Sequence, residues 1–386
     1  MKTKKLGILG GGQLGKMLCQ AAADWHQAVH VLDESVQFPA GPYATTFREG
    51  SFRNEADVLA FGRTVDVLTI EIEHIDTKAL HQLVSEGIEV YPQPQVIETI
   101  KDKGLQKRFY RQHDLPTAPF ELFADAAAVK EAVHEGRWRY PFVQKVRTGG
   151  YDGRGVAIIR SADDLDDKLL PGPCLLEQLA DIEKELAAVV ARSTTGEISV
   201  FPCVEMEFHP TANLVEYLLC PASIPGDVQA QVASLARQVA EAFEVVGLLA
   251  VELFLNKDGS IWINEVAPRP HNSGHHTIEA CITSQYQQHL RAILGLPLGD
   301  PSLIRPAAMA NILGGDGYTG PVVYEGLDQL FAIPGVYPHI YGKEITKPFR
   351  KMGHLTAIGD TLAIARQKAE EASQLLHVRS AEITSD

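Results

Sequence analysis

Short apolar runs separated by amphipathic stretches open the chain. Residues 6–9 (Leu-Gly-Ile-Leu) are too few for a helix and lead into glycines, which predicts a buried strand. Leu14, Met17, Leu18 and Ala21 then share one face of a helix over 13–23. Residues 29–32 and 65–72, the latter rich in β-branched side chains, predict two more strands. A helix over 77–86 and a strand over 88–91 follow, and Tyr91-Pro92-Gln93-Pro94 punctuates the end. Strands alternating with helices imply a parallel sheet covered on both faces.

Beyond a charged helix over 101–113 the pattern changes. Short strands are predicted at 142–146, 155–160 and 174–178 around a glycine-rich loop, then at 185–192, 198–203 and 214–220, which read as antiparallel. An amphipathic helix over 228–245 leads to a strand pair, 248–255 and 261–266. A helix over 277–294 stops at Gly295, and the tail from Pro306 carries short strands and a helix over 364–377.

Charge and cysteines narrow the function classes. The 386 residues carry 49 acidic and 35 basic side chains, a net charge of -14, so a nucleic-acid partner is not expected. Five cysteines, none in a CxxC, give neither a disulfide framework nor a zinc knuckle. No apolar stretch is long enough to span a bilayer, and the first residues do not resemble a signal segment. The expectation is a cytoplasmic protein with no membrane partner.

Two glycine loops and one acidic pair carry the candidate chemistry. Gly10-Gly11-Gly12-Gln13-Leu14-Gly15 satisfies G-x-G-x-x-G between a strand and a helix, with Asp33 closing the next strand. Backbone N–H groups there suit an anion, so the loop could serve a nicotinamide dinucleotide, another phosphorylated ligand or only a tight turn. The second loop, Arg147-Thr148-Gly149-Gly150-Tyr151-Asp152-Gly153-Arg154-Gly155, follows Lys145 directly. It reads as a flexible cationic flap over phosphates, and its spacing is not that of a Walker A loop. Glu177 and Gln178 end a strand whose backbone edge would suit adenine, and Glu185 would suit ribose hydroxyls.

Asp258-Gly259 between two strand patterns signals a two-residue hairpin. Lys257 then pairs with Ser260, Leu255 with Trp262, Leu253 with Asn264, and Glu252 with Glu265. Like charges facing across a strand pair are destabilising, and a cation held with nucleotide phosphates would relieve them. A three-residue loop would separate the two acids. Arg269, four residues beyond Glu265, could fix a planar anion through its guanidinium fork, with His271 and Asn272 as further donors.

Four stretches together resemble the ATP-grasp superfamily, and within it the 5-(carboxyamino)imidazole ribonucleotide synthetase family. They are residues 10–17, 147–155, 264–277, and Arg350-Lys351-Met352-Gly353-His354-Leu355. The resemblance implies mixed α/β and α+β architecture. It divides the chain into a Rossmann-like pre-ATP-grasp domain (1–100), an ATP-grasp domain (101–300, flap at about 115–180) and a small C-terminal β-rich domain (301–386). It implies that ATP phosphorylates bicarbonate to carboxyphosphate, which carboxylates the exocyclic amine of aminoimidazole ribonucleotide in purine biosynthesis.

Carried over residue by residue, the resemblance places Lys107 and Lys145 at the nucleotide phosphates, with Gly150, Gly153, Arg154, Gly155 and Asn264 also at the Mg-ATP site. Glu177, Gln178, Glu185 and His209 fall at adenine and ribose, and Glu252 and Glu265 on one or two Mg²⁺ ions. Arg269, His271 and Asn272 would hold bicarbonate or carboxyphosphate. Gly12, Gln13, Leu14, Ser35 and Glu73 would face aminoimidazole ribonucleotide, with Tyr151, Asp152, Lys343 and Arg350 completing that site, although Lys347 competes with Lys343. A homodimer is implied as well. One departure is Ala267, where many ATP-grasp enzymes carry the asparagine of Glu-x-Asn. Within the class the rival is a formate-using transformylase acting on glycinamide ribonucleotide. Outside it, the rivals are a nicotinamide oxidoreductase and a non-catalytic nucleotide-binding module.

Overall fold

The structure, a computed structural model, describes residues 4–150, 155–208 and 214–381. The predicted parallel sheet has five strands in the order Thr46–Glu49, Val29–Asp33, Leu6–Leu9, Val67–Ile70, Glu89–Val90. Leu6–Leu9 is central and buried throughout, which accounts for its unbroken apolar run. Strand order reverses there, so the crevice beyond its carboxyl end is where such a sheet receives a ligand. The apolar pattern does not announce Thr46–Glu49 or the helix Glu55–Gly62. The strand is a mostly exposed edge without apolar alternation.

A helix that was not expected, Pro94–Lys101, precedes the predicted charged helix, which spans Lys103–Gln112. Asp102 separates them and caps the second, accepting N–H groups from Gly104 at 2.8 Å and Leu105 at 3.1 Å. A four-stranded antiparallel sheet follows, in the order Phe120–Phe123, Cys174–Gln178, Phe142–Val146, Val156–Ile159. The glycine flap joins its last two strands. Residues 151–154 of that flap, and with them Tyr151, Asp152, Gly153 and Arg154, lie outside the described residues, as does His209.

The largest sheet has nine strands. Its path runs Ile261–Ala267, Gly247–Asn256, Ile182–Arg192, Val204–Phe208, Val215–Cys220, Ala307–Leu313, Lys351–Ile358, Val336–Ile340, with Ile198–Val200 paired to Ile182–Arg192. The C-terminal strands therefore continue the central sheet, and only Ile345–Thr346, Gly320–Glu325 and His377–Ser380 form a separate one. Helix Gly226–Phe243 covers the sheet's core face, setting Val232, Leu235, Val239 and Ala240 against Leu186, Val190, Leu249 and Val251. The helix expected over 277–294 is broken into Thr277–Ala280 and Gln285–Leu294. Ser284 starts the second piece with a capping box to Gln287. Among the described residues no helix is long and apolar enough to cross a membrane.

Candidate active site

The acidic pair is built by two irregularities that offset each other. The hairpin closes with the Asn256 N–H donating to the Ser260 carbonyl at 2.8 Å, so the loop has three residues, with Gly259 at φ +83°. Lys257 does not pair with Ser260. Leu255 faces Ile261 and Leu253 faces Ile263, one residue off the expected register. Continued unchanged, this register would turn Glu265 to the opposite face from Glu252. A β-bulge beside Leu253 adds one residue to the second strand and restores Glu252 opposite Glu265. Ile263 and Val266 stay in the core, so Asn264 and Glu265, between them, both face the cleft.

Lysines converge on this floor. Lys145, on strand Phe142–Val146, places Nζ 2.8 Å from Asn264 Oδ1 and 2.9 Å from Glu177 Oε2. Lys107 Nζ lies 2.8 Å from the other Glu177 oxygen. Lys103, which no motif singled out, is ion-paired to Glu265. Its turn is tied to the flap root: Arg147 grips Asp102 through two contacts of 2.9 and 2.5 Å, and the Lys103 N–H donates to the Arg147 carbonyl at 2.8 Å. At the flap's return, Gly155 takes φ +79°, where a Cβ would meet Val146 at 2.5 Å.

The two acids divide the electrostatic penalty. Burial, then Glu265 and Glu185, push Glu252 well above the usual carboxylate range. Glu265 suffers burial too, but Lys103 and Lys145 bring it below that range. Burial alone lifts nearby Glu185 to about 7, with Lys145 opposing. The charge distribution suits an added cation with oxygen ligands.

The Glu177 side chain is 4% exposed and both its oxygens are taken by Lys107 and Lys145, so its carboxylate holds lysines. The strand it ends is interior, paired to Phe120–Phe123 on one side and Phe142–Val146 on the other. A backbone edge for adenine therefore begins only past Gln178, which is exposed.

The expected bicarbonate residues sit beside the acids. His271 Nε2 is 3.5 Å from Glu252 Oε1. Gln285, fully buried, clamps the His271 main chain: it accepts the N–H at 2.9 Å and donates to the carbonyl at 2.8 Å. Asn272 opens the short turn after it. Arg269 Nε lies 2.9 Å from Glu73 Oε1, so the substrate residue expected from the first domain meets the anion-binding arginine. Gly12, Gln13 and Leu14 begin the neighbouring helix. Ser35 lies in the loop that returns to Gly11 through the Ala40 N–H at 2.9 Å. On the C-terminal side Tyr341 packs against Leu14 and Met17. Lys343 donates to the Lys351 carbonyl at 2.7 Å over the Tyr341 ring, Arg350 donates to the Ile345 carbonyl at 2.5 Å, and Lys347 is exposed.

Residues 1–101 match the ribonucleotide synthetase preATP-grasp domain, 108–286 the ATP-grasp domain, and 307–368 the phosphoribosylaminoimidazole carboxylase C-terminal domain. The N5-carboxyaminoimidazole ribonucleotide synthase of Synechococcus elongatus is 37% identical over 378 residues, covering 97% of this chain and 94% of that one. The chain belongs to the N5-carboxyaminoimidazole ribonucleotide synthase family. It is thus an ATP-grasp ligase of purine biosynthesis that binds ATP. A synthase of this family from Aspergillus clavatus, solved with ADP and 5-aminoimidazole ribonucleotide, is 33% identical with a TM-score of 0.87, covering 97% of this chain and 98% of that one. The chloroplastic phosphoribosylaminoimidazole carboxylase of Vigna aconitifolia is 39% identical over 369 residues, and the chain spans 64% of its length.

Proposed function

We propose that the site described above carries out the family's reaction with the residues assigned here. Bicarbonate oxygen attacks the γ-phosphorus of ATP, ADP leaves, and carboxyphosphate forms. The exocyclic amine of 5-aminoimidazole ribonucleotide then takes the carboxyl carbon, phosphate leaves, and the amine gives up a proton. The supporting observation is the Arg269–Glu73 ion pair at 2.9 Å. It joins the acid-and-lysine floor, the place this reading gives the triphosphate, to the mouth of the first domain, the place it gives the acceptor nucleotide.

Lys107 and Lys145 line the floor as counter-charges for phosphates, and the flap that begins at Arg147 excludes water over them. Glu185, held near neutrality, can share a proton with a ribose hydroxyl. Glu252 and Glu265 would hold Mg²⁺, which supplies charge neutralisation for the phosphates when bound. The oxygen-only donor set and the raised Glu252 fit that ion. The bulge sets Asn264 beside Glu265, in place of the asparagine that Ala267 lacks. Arg269, His271 and Asn272 hold bicarbonate and carboxyphosphate. A cytoplasmic homodimer goes with this reading, and a dimer mass by light scattering would check it.

The test is ADP release by the full chain with bicarbonate and aminoimidazole ribonucleotide each present or omitted, with product identified by mass. Dependence on both is expected. Turnover that needs formate and glycinamide ribonucleotide instead would replace this assignment with the transformylase. Arg269→Lys keeps the charge but loses the planar fork. Its kcat/KM for bicarbonate should fall by about 10–100-fold while the KM for ATP stays close to the parent's. An unchanged bicarbonate response would remove Arg269 from the anion site.

A further inference from the structure

The glycine loop that reads like a phosphate cradle is already filled by the chain itself. Glu71, just past the end of strand Val67–Ile70, reaches over the loop and accepts the Gly12 N–H on one oxygen and the Gly15 N–H on the other, each at 2.5 Å. Asp33, at the end of the neighbouring strand, accepts the Gly11 N–H at 2.6 Å. The glycines are shaped around this carboxylate: a Cβ on Gly10 would stand 2.3 Å from Glu71 Cγ, and one on Gly12 2.5 Å from Glu71 Oε1. The loop's glycines thus admit an internal anion at the place where a dinucleotide fold admits pyrophosphate.

We propose that Glu71 is a specificity-determining residue: it plugs the loop's anion cradle, so the loop rejects phosphate and accepts only an uncharged or hydrogen-donating end of a ligand. This rests on the reading that aminoimidazole ribonucleotide lies at the loop. An incoming phosphate would meet a carboxylate already seated and three N–H groups already taken. A neutral aminoimidazole, with N–H donors of its own, suffers no such repulsion, and Glu71 is only partly buried, so it can face one. Burial lifts the Glu71 carboxyl while the two N–H bonds hold it down. Neighbouring Asp33 raises it further and Arg269 lowers it. The plug also bears on the nicotinamide reading, because the same three N–H groups would have to receive the pyrophosphate.

Two variants of the full chain test this. Glu71→Gln must turn its amide NH₂ toward one of the two N–H donors, so at least one loses its acceptor. The KM for aminoimidazole ribonucleotide should rise about tenfold or more through misplacement of the loop, with the KM for ATP within about twofold of the parent's. Glu71→Ala opens the cradle. In chain labelled with ¹⁵N-glycine, the Gly12 and Gly15 amide signals should move with millimolar inorganic phosphate in Glu71→Ala and stay fixed in the parent. Phosphate-responsive Gly12 and Gly15 signals in the parent would overturn the proposal. So would a folded Glu71→Ala without that response, or an unchanged KM in Glu71→Gln. If Glu71→Ala does not fold, Glu71→Gln and the parent's glycine signals decide. A parent that does not turn over aminoimidazole ribonucleotide would overturn the reaction assigned above, while the phosphate response of the two glycines would still decide the role of Glu71.

Discussion

Glu252→Gln is expected to fold at least as stably as the parent and to lose turnover by about 10³-fold. The two outcomes have one cause. Glu252 faces Glu265 directly across the strand pair, and burial and that neighbour raise its carboxyl well above the usual range. An amide of the same shape removes the repulsion and so does not weaken the fold. It also removes half of the acidic pair on which the phosphates' counter-ion depends. Glu265→Gln should lose turnover by a similar factor but melt lower than the parent, because Lys103 then has no partner. ADP release in the presence of bicarbonate and aminoimidazole ribonucleotide, with thermal melting of each variant, checks both. Turnover within tenfold of the parent in either variant would defeat the assignment of these acids.

That pairing shows how far the sequence could be read. The Asp258-Gly259 turn and the strand patterns announce a hairpin, and the spacing of Glu252 and Glu265 suggests that they meet. The loop is one residue longer than that turn signal predicts. Gly259 accepts a left-handed conformation that allows either a two- or a three-residue turn, and nothing local selects between them. The bulge at Asn264 that restores the pairing is set by what lies on the two faces. Ile263 and Val266 need the core, and Asn264 needs Lys145. Those partners are distant in sequence, so periodicity cannot find them. Lys103 carries no local signal for a related reason. It stands at a helix break that only the Asp102 cap creates, and its partner Glu265 lies in another element. Glu71 read as the tail of an apolar strand, and only the fold sets it over the glycine loop. The Leu6–Leu9 strand and the helix after it were legible because their signal is local.

Glu177→Gln should produce the largest loss of stability, roughly 3–5 kcal/mol at pH 7, since removing one member of a buried ion pair strands the other charges. Here two are stranded. Lys107 and Lys145 each hold one oxygen of Glu177, with the Lys107 and Glu177 side chains 3% and 4% exposed. Burial opposes the charge on Glu177, but the two lysines overcome it and bring the carboxyl down to about 2. An attractive partner should raise Lys107, yet it falls to about 8, through burial first and then the neighbouring Lys145. The two shifts are compatible because one carboxylate is shared by two cations, and Lys107 is the less compensated. A depressed carboxyl contributes stability that is present above its unfolded value and lost as pH falls through its folded one. The gap between parent and variant should therefore hold near neutrality and shrink between about pH 4.5 and pH 2. Denaturant unfolding at several pH values measures it, and a gap that is small at pH 7 or insensitive to acid would show that Glu177 does not bear this load. The excess positive charge that Glu177 leaves on Lys107 and Lys145 is what a polyphosphate would neutralise. ATP should therefore raise the parent's melting temperature, and Glu177→Gln, with its lysines free to drift apart, should respond to ATP less.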